Sequence, residues 1–128
     1  MARVYGTKNV EEALKHLLRV AECNPNDPFV YMSIGLQFYS IKCYNDALKY
    51  FLRSEHIKAG ISASNLYHIG DCLKRNGQID ESIEYFKKAI TVPVRNRFDY
   101  KGYSESRKML AAAGYTEEEL NRISPKKV

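Results

Sequence analysis

The residues that could do chemistry are few in this chain, and they are widely spaced. His68 and Asp71 lie about one helical turn apart, and such a pair can move a proton in acid–base catalysis. No nucleophile is spaced to join them. Two polar residues one turn apart on a helix more simply form an ordinary hydrogen bond. We therefore predict that the protein is not an enzyme and has no catalytic residue.

The cysteines and histidines do not have the spacing of a metal site. There are three of each, and they form neither a Cys-x-x-Cys pair nor a His-Glu-x-x-His motif. A lone cysteine usually behaves as a small hydrophobic residue, so we expect three reduced thiols in the core. The sequence predicts no metal and no other cofactor. The residues concerned are Cys23, Cys43, Cys72, His16, His56 and His68.

The net charge of +5 is concentrated at the C-terminal end. Residues 1–86 carry equal numbers of basic and acidic side chains, whereas residues 87–128 carry twice as many basic as acidic ones. Basic residues interleaved with aromatic ones are what a single-stranded nucleic acid requires, although we expect only weak and non-specific binding here. The basic patch consists of Arg95, Arg97, Lys101 and Lys108, and the aromatic residues are Phe98, Tyr100 and Tyr103.

Helices must position these side chains, because the sequence repeats with a period of 35. Apolar or small residues recur at matching places, and such a period is typical of stacked helical hairpins. The first copy contains Tyr31, Ile34, Gly35, Phe38, Ala47, Phe51 and Ser54, and the second contains Leu66, Ile69, Gly70, Leu73, Ser82, Phe86 and Ala89.

Turn and cap residues predict where the helices begin and end. Asn9, Asp27 and Ser62 are predicted N-caps, and Thr116 with Glu119 has the spacing of a capping box. Gly60, Gly77 and Gly114 are predicted stops or turns. The predicted helices are Val10–Cys23, Pro28–Ile41, Asn45–Lys58, Ala63–Arg75, Gln78–Thr91, Phe98–Ala113 and a short last one from Thr116 through Ile123.

The repeated residues resemble the tetratricopeptide repeat (TPR). That pattern has an aromatic residue, a large apolar residue and Gly35 or Gly70 on the first helix, then a small residue and Phe51 or Phe86 on the second. The resemblance implies an all-α fold of antiparallel helical hairpins stacked as a short right-handed solenoid with a C-terminal capping helix. Because Arg107 falls where Gly35 would align, we expect the capping helix to turn Arg107 to water. A single domain, 1–128, would comprise a half repeat (8–27), two repeats (28–62 and 63–97), capping helices (98–123) and a disordered tail (124–128).

In this family the first helix of each hairpin lines a concave groove. The predicted helix after Pro28 is apolar nearly all round, and such a helix requires burial on both sides. Three explanations stay open for its second face: burial under the residues before Asn9, a partner peptide or helix in the groove, or self-association. The second repeat offers a polar face instead. The predicted groove residues are Phe29, Met32, Leu36, Tyr39, Tyr67, His68, Asp71 and Lys74.

These patterns predict a cytoplasmic scaffold or adaptor that binds another protein. The two alternatives are a homodimerising structural module and a basic accessory domain for an acidic or nucleic-acid partner. No apolar run approaches the roughly 20 residues that span a bilayer, so the sequence predicts no membrane segment.

Overall fold

The computed structural model describes the backbone of residues 2–124 and the side chains of residues 9–124. Within that part of the chain the protein is all-α, with no strand, as the repeat period predicted. The helices after the first begin and end within two residues of their predicted positions. They are α1 Ala2–Cys23, α2 Pro28–Ser40, α3 Tyr44–Ile57, α4 Ala63–Arg75, α5 Ile79–Ala89, α6 Arg97–Ala112 and α7 Glu117–Ile123.

The start of α1 corrects the sequence prediction. The helix begins at Ala2, so Asn9 lies inside it and is not its N-cap. Asn9 was predicted as the boundary because asparagine is a favoured N-cap. Gly6 and Thr7 before it are poor helix formers. Intrinsic propensity is a weak guide, and the helix continues through both residues.

The helices pack into two compact units, Met1–Ala59 and Gly60–Val128. In the first unit α1 packs on α2 and α2 packs on α3. In the second unit α4 packs on α5, α6 contacts both, and α7 contacts α6. Packing of sequence neighbours in pairs is the arrangement of a TPR-like helical repeat. The finer division into one half repeat, two repeats and a cap stays a prediction.

Both hairpins are built around a glycine that faces a phenylalanine. A Cβ placed on Gly35 would lie 2.6 Å from the Phe51 ring, and one on Gly70 would lie 2.6 Å from the Phe86 ring. Phe51 and Phe86 are buried, each ring against the glycine of its own hairpin. Because a protein interior is close-packed, only glycine lets each ring lie against the facing helix.

The turns that close the hairpins adopt the same left-handed conformation with different residues. Gly77 has φ +82° between α4 and α5, and Lys42, which lies one period earlier, has φ 64° between α2 and α3. Glycine adopts this conformation without steric cost, whereas lysine does not. The first hairpin therefore contains backbone strain that the second lacks.

Helix α6 corrects the expectation for Arg107. The Arg107 side chain is only 12% exposed, and it donates to Glu117 Oε2 at 2.9 Å and to Asn121 Oδ1 at 3.1 Å. It also contacts Tyr103 of its own helix. Arg107 therefore joins α6 to α7 and does not face water. The buried core to which α5, α6 and α7 contribute contains Phe86, Ile90, Leu110 and Leu120.

The close approach of α6 to the second hairpin is made at Gly102. A Cβ added there would clash with the backbone of Ala63 and Ser64 at the start of α4, lying 2.6 Å from the Ser64 nitrogen. Ser62, the predicted cap of α4, donates its hydroxyl to the buried Asp99 carboxylate at 2.8 Å. Asp99 also accepts from the Arg95 amide. These contacts hold the beginnings of α4 and α6 together.

The remaining predicted details are partly confirmed. Asp27 caps α2, and Thr116 and Glu119 form the capping box of α7. The thiols are free; Cys72 is buried, Cys43 is half-buried, and Cys23 at the end of α1 is exposed. The expectation of three core thiols is therefore wrong for Cys23. Ser124 is the C-cap of α7, and the rest of the predicted tail lies outside the described residues.

Candidate interaction surfaces

The predicted groove residues of α2 differ in exposure. Phe29 is 59% exposed at the beginning of the helix, whereas Met32 is only 6% exposed. Leu36 and Tyr39 are partly buried, and the Tyr39 ring packs edge-on against Tyr44 at 5.4 Å and against Phe51 at 6.3 Å. Five residues of α2 are buried and most of the others are partly buried. Phe29 is the exposed side chain among these four predicted groove residues of α2.

The predicted groove residues of α4 form a polar face whose side chains are fixed by hydrogen bonds. Asp71 is buried, and its Oδ2 accepts from Arg75 Nε at 2.9 Å. His68 Nδ1 lies 2.7 Å from the Ser64 carbonyl oxygen. Because a carbonyl can only accept, Nδ1 is the protonated nitrogen and Nε2 of the neutral ring is the acceptor. The face therefore has a fixed hydrogen-bonding pattern.

Burial sets the protonation states on this face. It lowers the pKa of His68, opposed by the hydrogen bond to Ser64 and by the charge of Asp71. Burial also raises the pKa of Tyr67 to about 12, and the charges of Asp71 and Glu105 add to that increase. At neutral pH the imidazole and the phenol are both uncharged.

The structure brings α6 beside this face. The Phe98 ring stacks on His68 with 6.3 Å between centroids, and Lys74 Nζ lies 3.8 Å from the Met109 sulfur. Phe98 is 41% exposed and its neighbour Tyr100 is 61% exposed. We call this the α4–α6 face, and define it by Tyr67, His68, Asp71, Lys74, Phe98 and Lys101.

The predicted basic patch runs from Arg95, just before α6, to Lys108 in the second half of that helix. Arg95, Arg97, Lys101 and Lys108 are all exposed. Lys108 is 3.5 Å from Glu105, so an acidic residue of the same helix partly neutralises the patch. Lys101 is near enough to His68 for its charge to lower the pKa of that ring. The groove residues of the second unit and the basic patch, predicted separately, therefore adjoin each other.

Sequence reasoning missed an aromatic stack in the first unit. The Tyr50 ring lies 6.4 Å from Tyr31 and 5.6 Å from Phe38, nearly parallel to both. Arg53 lies over the Tyr31 ring, 4.7 Å from its centroid. The sequence did contain a signal for this aromatic stack, since Tyr31 and Phe38 are seven residues apart and so lie on one side of α2.

The described residues contain neither a metal site nor a membrane span. No group of three or more His, Cys, Asp or Glu side chains among them could hold a metal ion. No helix in that part of the chain is long and apolar enough to cross a membrane. Burial raises the pKa of the Cys72 thiol to about 12, so this thiol stays protonated at neutral pH.

Comparison with known proteins gives a family match. A family model described as regulator of microtubule dynamics protein 1-3 matches residues 38–114. The chain is 23% identical over 118 residues to regulator of microtubule dynamics protein 2 of Mus musculus, covering 77% of this chain and 29% of the relative. It is 24% identical over 115 residues to the Bos taurus protein of the same name, covering 74% and 28%.

A plant protein is also similar. The chain is 29% identical over 85 residues to anaphase-promoting complex subunit 6 of Arabidopsis thaliana, covering 61% of this chain and 15% of the relative. The chain therefore spans less than a third of the length of these relatives. The helix pairs and these similarities support a TPR-like fold, while membership of the tetratricopeptide repeat family itself stays a prediction.

Proposed function

Because the chain belongs to the regulator of microtubule dynamics protein 1-3 family, we propose that it is an adaptor module that binds a peptide or helix of another protein. The names of the mouse and bovine relatives support a partner within the microtubule system. The Arabidopsis relative is named as a complex subunit, which supports a role in protein assembly. The proposal includes no catalysis and places the module in the cytoplasm.

The observation that carries this proposal is the α4–α6 face. Its polar groups are held by the Asp71–Arg75 pair and the His68–Ser64 hydrogen bond, and its aromatic edge is open at Phe98. Fixed polar groups determine the orientation of a partner segment, and exposed aromatic rings give the apolar contact that dominates interface energies. On the first unit, we propose Phe29 as a separate apolar contact.

Affinity capture with matched variants tests the α4–α6 face. Phe98→Glu should remove the proteins that the unaltered chain retains, because it places a charge at the aromatic edge. Ile79→Glu is the control, since Ile79 is a similarly exposed apolar residue at the beginning of α5. Identical sets of retained proteins from both variants would contradict the proposal.

The exposure of Phe29 favours self-association as the second candidate function. An exposed phenylalanine on a largely apolar helix can pack against a second copy of the chain. Sedimentation of the isolated chain should then show a dimer that Phe29→Glu and Leu36→Glu dissociate. A monomer at all concentrations would leave the adaptor function as the better explanation.

A further inference from the structure

The outer face of α3 in the first unit forms a basic depression. Its volume is about 660 Å³, and its lining includes Asn26, Lys49, Tyr50, Arg53 and His56. None of the lining residues is acidic. We propose that this face binds an extended acidic segment of a partner protein. The site is separate from the α4–α6 face and does not depend on the function proposed for it.

The cations of this face are available for an anion. Among the described residues neither Lys49 nor Arg53 forms an ion pair. The Arg53 guanidinium lies over the Tyr31 ring and Lys49 Nζ lies 5.8 Å from the Tyr50 centroid. A cation over an aromatic ring is favoured electrostatically, and the N–H donors of a guanidinium match a carboxylate. The Tyr31 ring therefore positions Arg53 for an acidic side chain.

The spacing of the basic residues fits an extended peptide. Lys49, Arg53 and His56 are four and then three residues apart on α3, which is about 6 Å and about 4.5 Å along the helix axis. In an extended chain, alternate side chains recur at about 6.6 Å. The step from Lys49 to Arg53 matches that repeat, so acidic residues at alternate positions of a peptide would meet these two cations, and the His56 ring lies about one turn further along α3. A single phosphate group is too small to reach from Lys49 to His56.

The aromatic rings of this face favour a peptide over a single-stranded nucleic acid. Tyr31 and Phe38 are about 10.5 Å apart along α2, and Tyr50 lies near both with interplanar angles of 11° and 8°. The Tyr50 ring thus lies between the other two, and Arg53 lies over Tyr31. Bases bind by stacking on open ring faces, whereas Arg53 lies over Tyr31 and Lys49 lies near the Tyr50 ring. The polar amide of Asn26 can instead pair with a peptide backbone.

Fluorescence polarisation tests the site with the full chain. The probe is a labelled peptide of alternating glutamate and serine, and its counterpart carries lysine in place of glutamate. The variant Lys49→Glu/Arg53→Glu should weaken binding of the glutamate peptide roughly tenfold, because it reverses two surface charges. Arg97→Glu/Lys101→Glu reverses two charges of the basic patch and should leave the affinity nearly unchanged. Phe98→Glu should also leave it unchanged, which separates this site from the α4–α6 face.

Chemical-shift changes locate the bound peptide, and a single-charge variant distinguishes a loss of binding from a folding defect. Because Arg53 packs on Tyr31, replacing it could disturb folding, so Lys49→Glu alone is the variant with the smaller risk of a folding defect. When the peptide is added to the unaltered chain, the amide chemical shifts should change around Asn26, Lys49 and His56. Equal weakening by the basic-patch variant, or shifts confined to α6, would overturn the proposal. Tighter binding of oligothymidylate than of the glutamate peptide at this face would also overturn it.

Discussion

Among the described residues, Lys42 is the one whose backbone conformation fits its side chain least well. Its φ of 64° lies in the left-handed region, where the matching position of the second hairpin has Gly77. Glycine relieves the strain of a side chain in this region but increases the entropy of the unfolded chain, and the strain is the larger effect.

We therefore predict that Lys42→Gly stabilises the protein by roughly 0.5 to 1 kcal/mol. Urea unfolding followed by circular dichroism measures the change. Lys58→Gly is the matched control, because Lys58 has φ −146° and should gain nothing from glycine. Equal changes for the two variants would show that the left-handed turn carries no strain.

His68 should make the stability depend on pH. Burial lowers its pKa in the folded chain below the ordinary value of 6.5, so the unfolded chain takes up the proton first as the pH falls. The contribution of neutral His68 is complete above about pH 6.5 and is lost as the pH falls from there toward the folded pKa.

The decrease in unfolding free energy between pH 7.5 and pH 5 should therefore be smaller in His68→Asn than in the unaltered protein. Thermal melts at several pH values measure it. If His68→Asn retained the same pH dependence as the unaltered protein, the stacked ring would not be the titrating group.

At the scale of elements, α6 is held by backbone contact where it crosses α4. Gly102 lies against the backbone of Ala63 and Ser64, and a backbone cannot move aside as a flexible side chain can. The buried Asp99–Ser62 hydrogen bond fixes the same end of the helix pair. The position of Phe98 beside His68 depends on this crossing.

Gly102→Ala should therefore destabilise the protein by roughly 1 to 3 kcal/mol, the usual cost of overpacking. Chemical denaturation gives the value, and the loss of the Phe98–His68 contact should appear as shifted His68 ring signals. Lys101→Ala, at the exposed neighbouring position, should change stability little. A Gly102→Ala protein as stable as the unaltered one would contradict the close packing of α6 on α4.

At the scale of the whole molecule, the excess positive charge lies at the C-terminal end. The basic patch is exposed, but Glu105 lies beside Lys108 and Asp99 is buried at the start of α6. We predict weak and non-specific binding of single-stranded RNA that is lost near physiological salt.

Filter binding over a range of salt concentrations tests this expectation. Arg97→Glu/Lys101→Glu should flatten the salt dependence, since each lost phosphate contact lowers the slope of log affinity against log salt by about 0.7. Dissociation constants below about 1 μM at about 150 mM salt would be tighter than non-specific binding allows, and would favour the basic accessory domain.

The sequence by itself determined the helices after α1, their turns and the residue types at the centre of each hairpin. The period of 35 and the recurrence of glycine on the first helix and phenylalanine on the second were sufficient, because these features depend on local spacing and on side-chain size. The structure showed that each phenylalanine ring lies against the glycine of its own hairpin. The capping box at Thr116 was equally local. The sequence also identified α2 as a helix that must be buried on most sides.

Only the tertiary structure decided which side chains meet across helices. It placed Phe98 on His68, joined Arg107 to Glu117 and Asn121, and set Tyr50 between Tyr31 and Phe38. The repeat pattern does not cover α6 and α7, so it could not predict their contacts. Whether Arg107 faces water or a partner depends on how α7 folds back on α6, which is a property of packing between distant residues and not of periodicity.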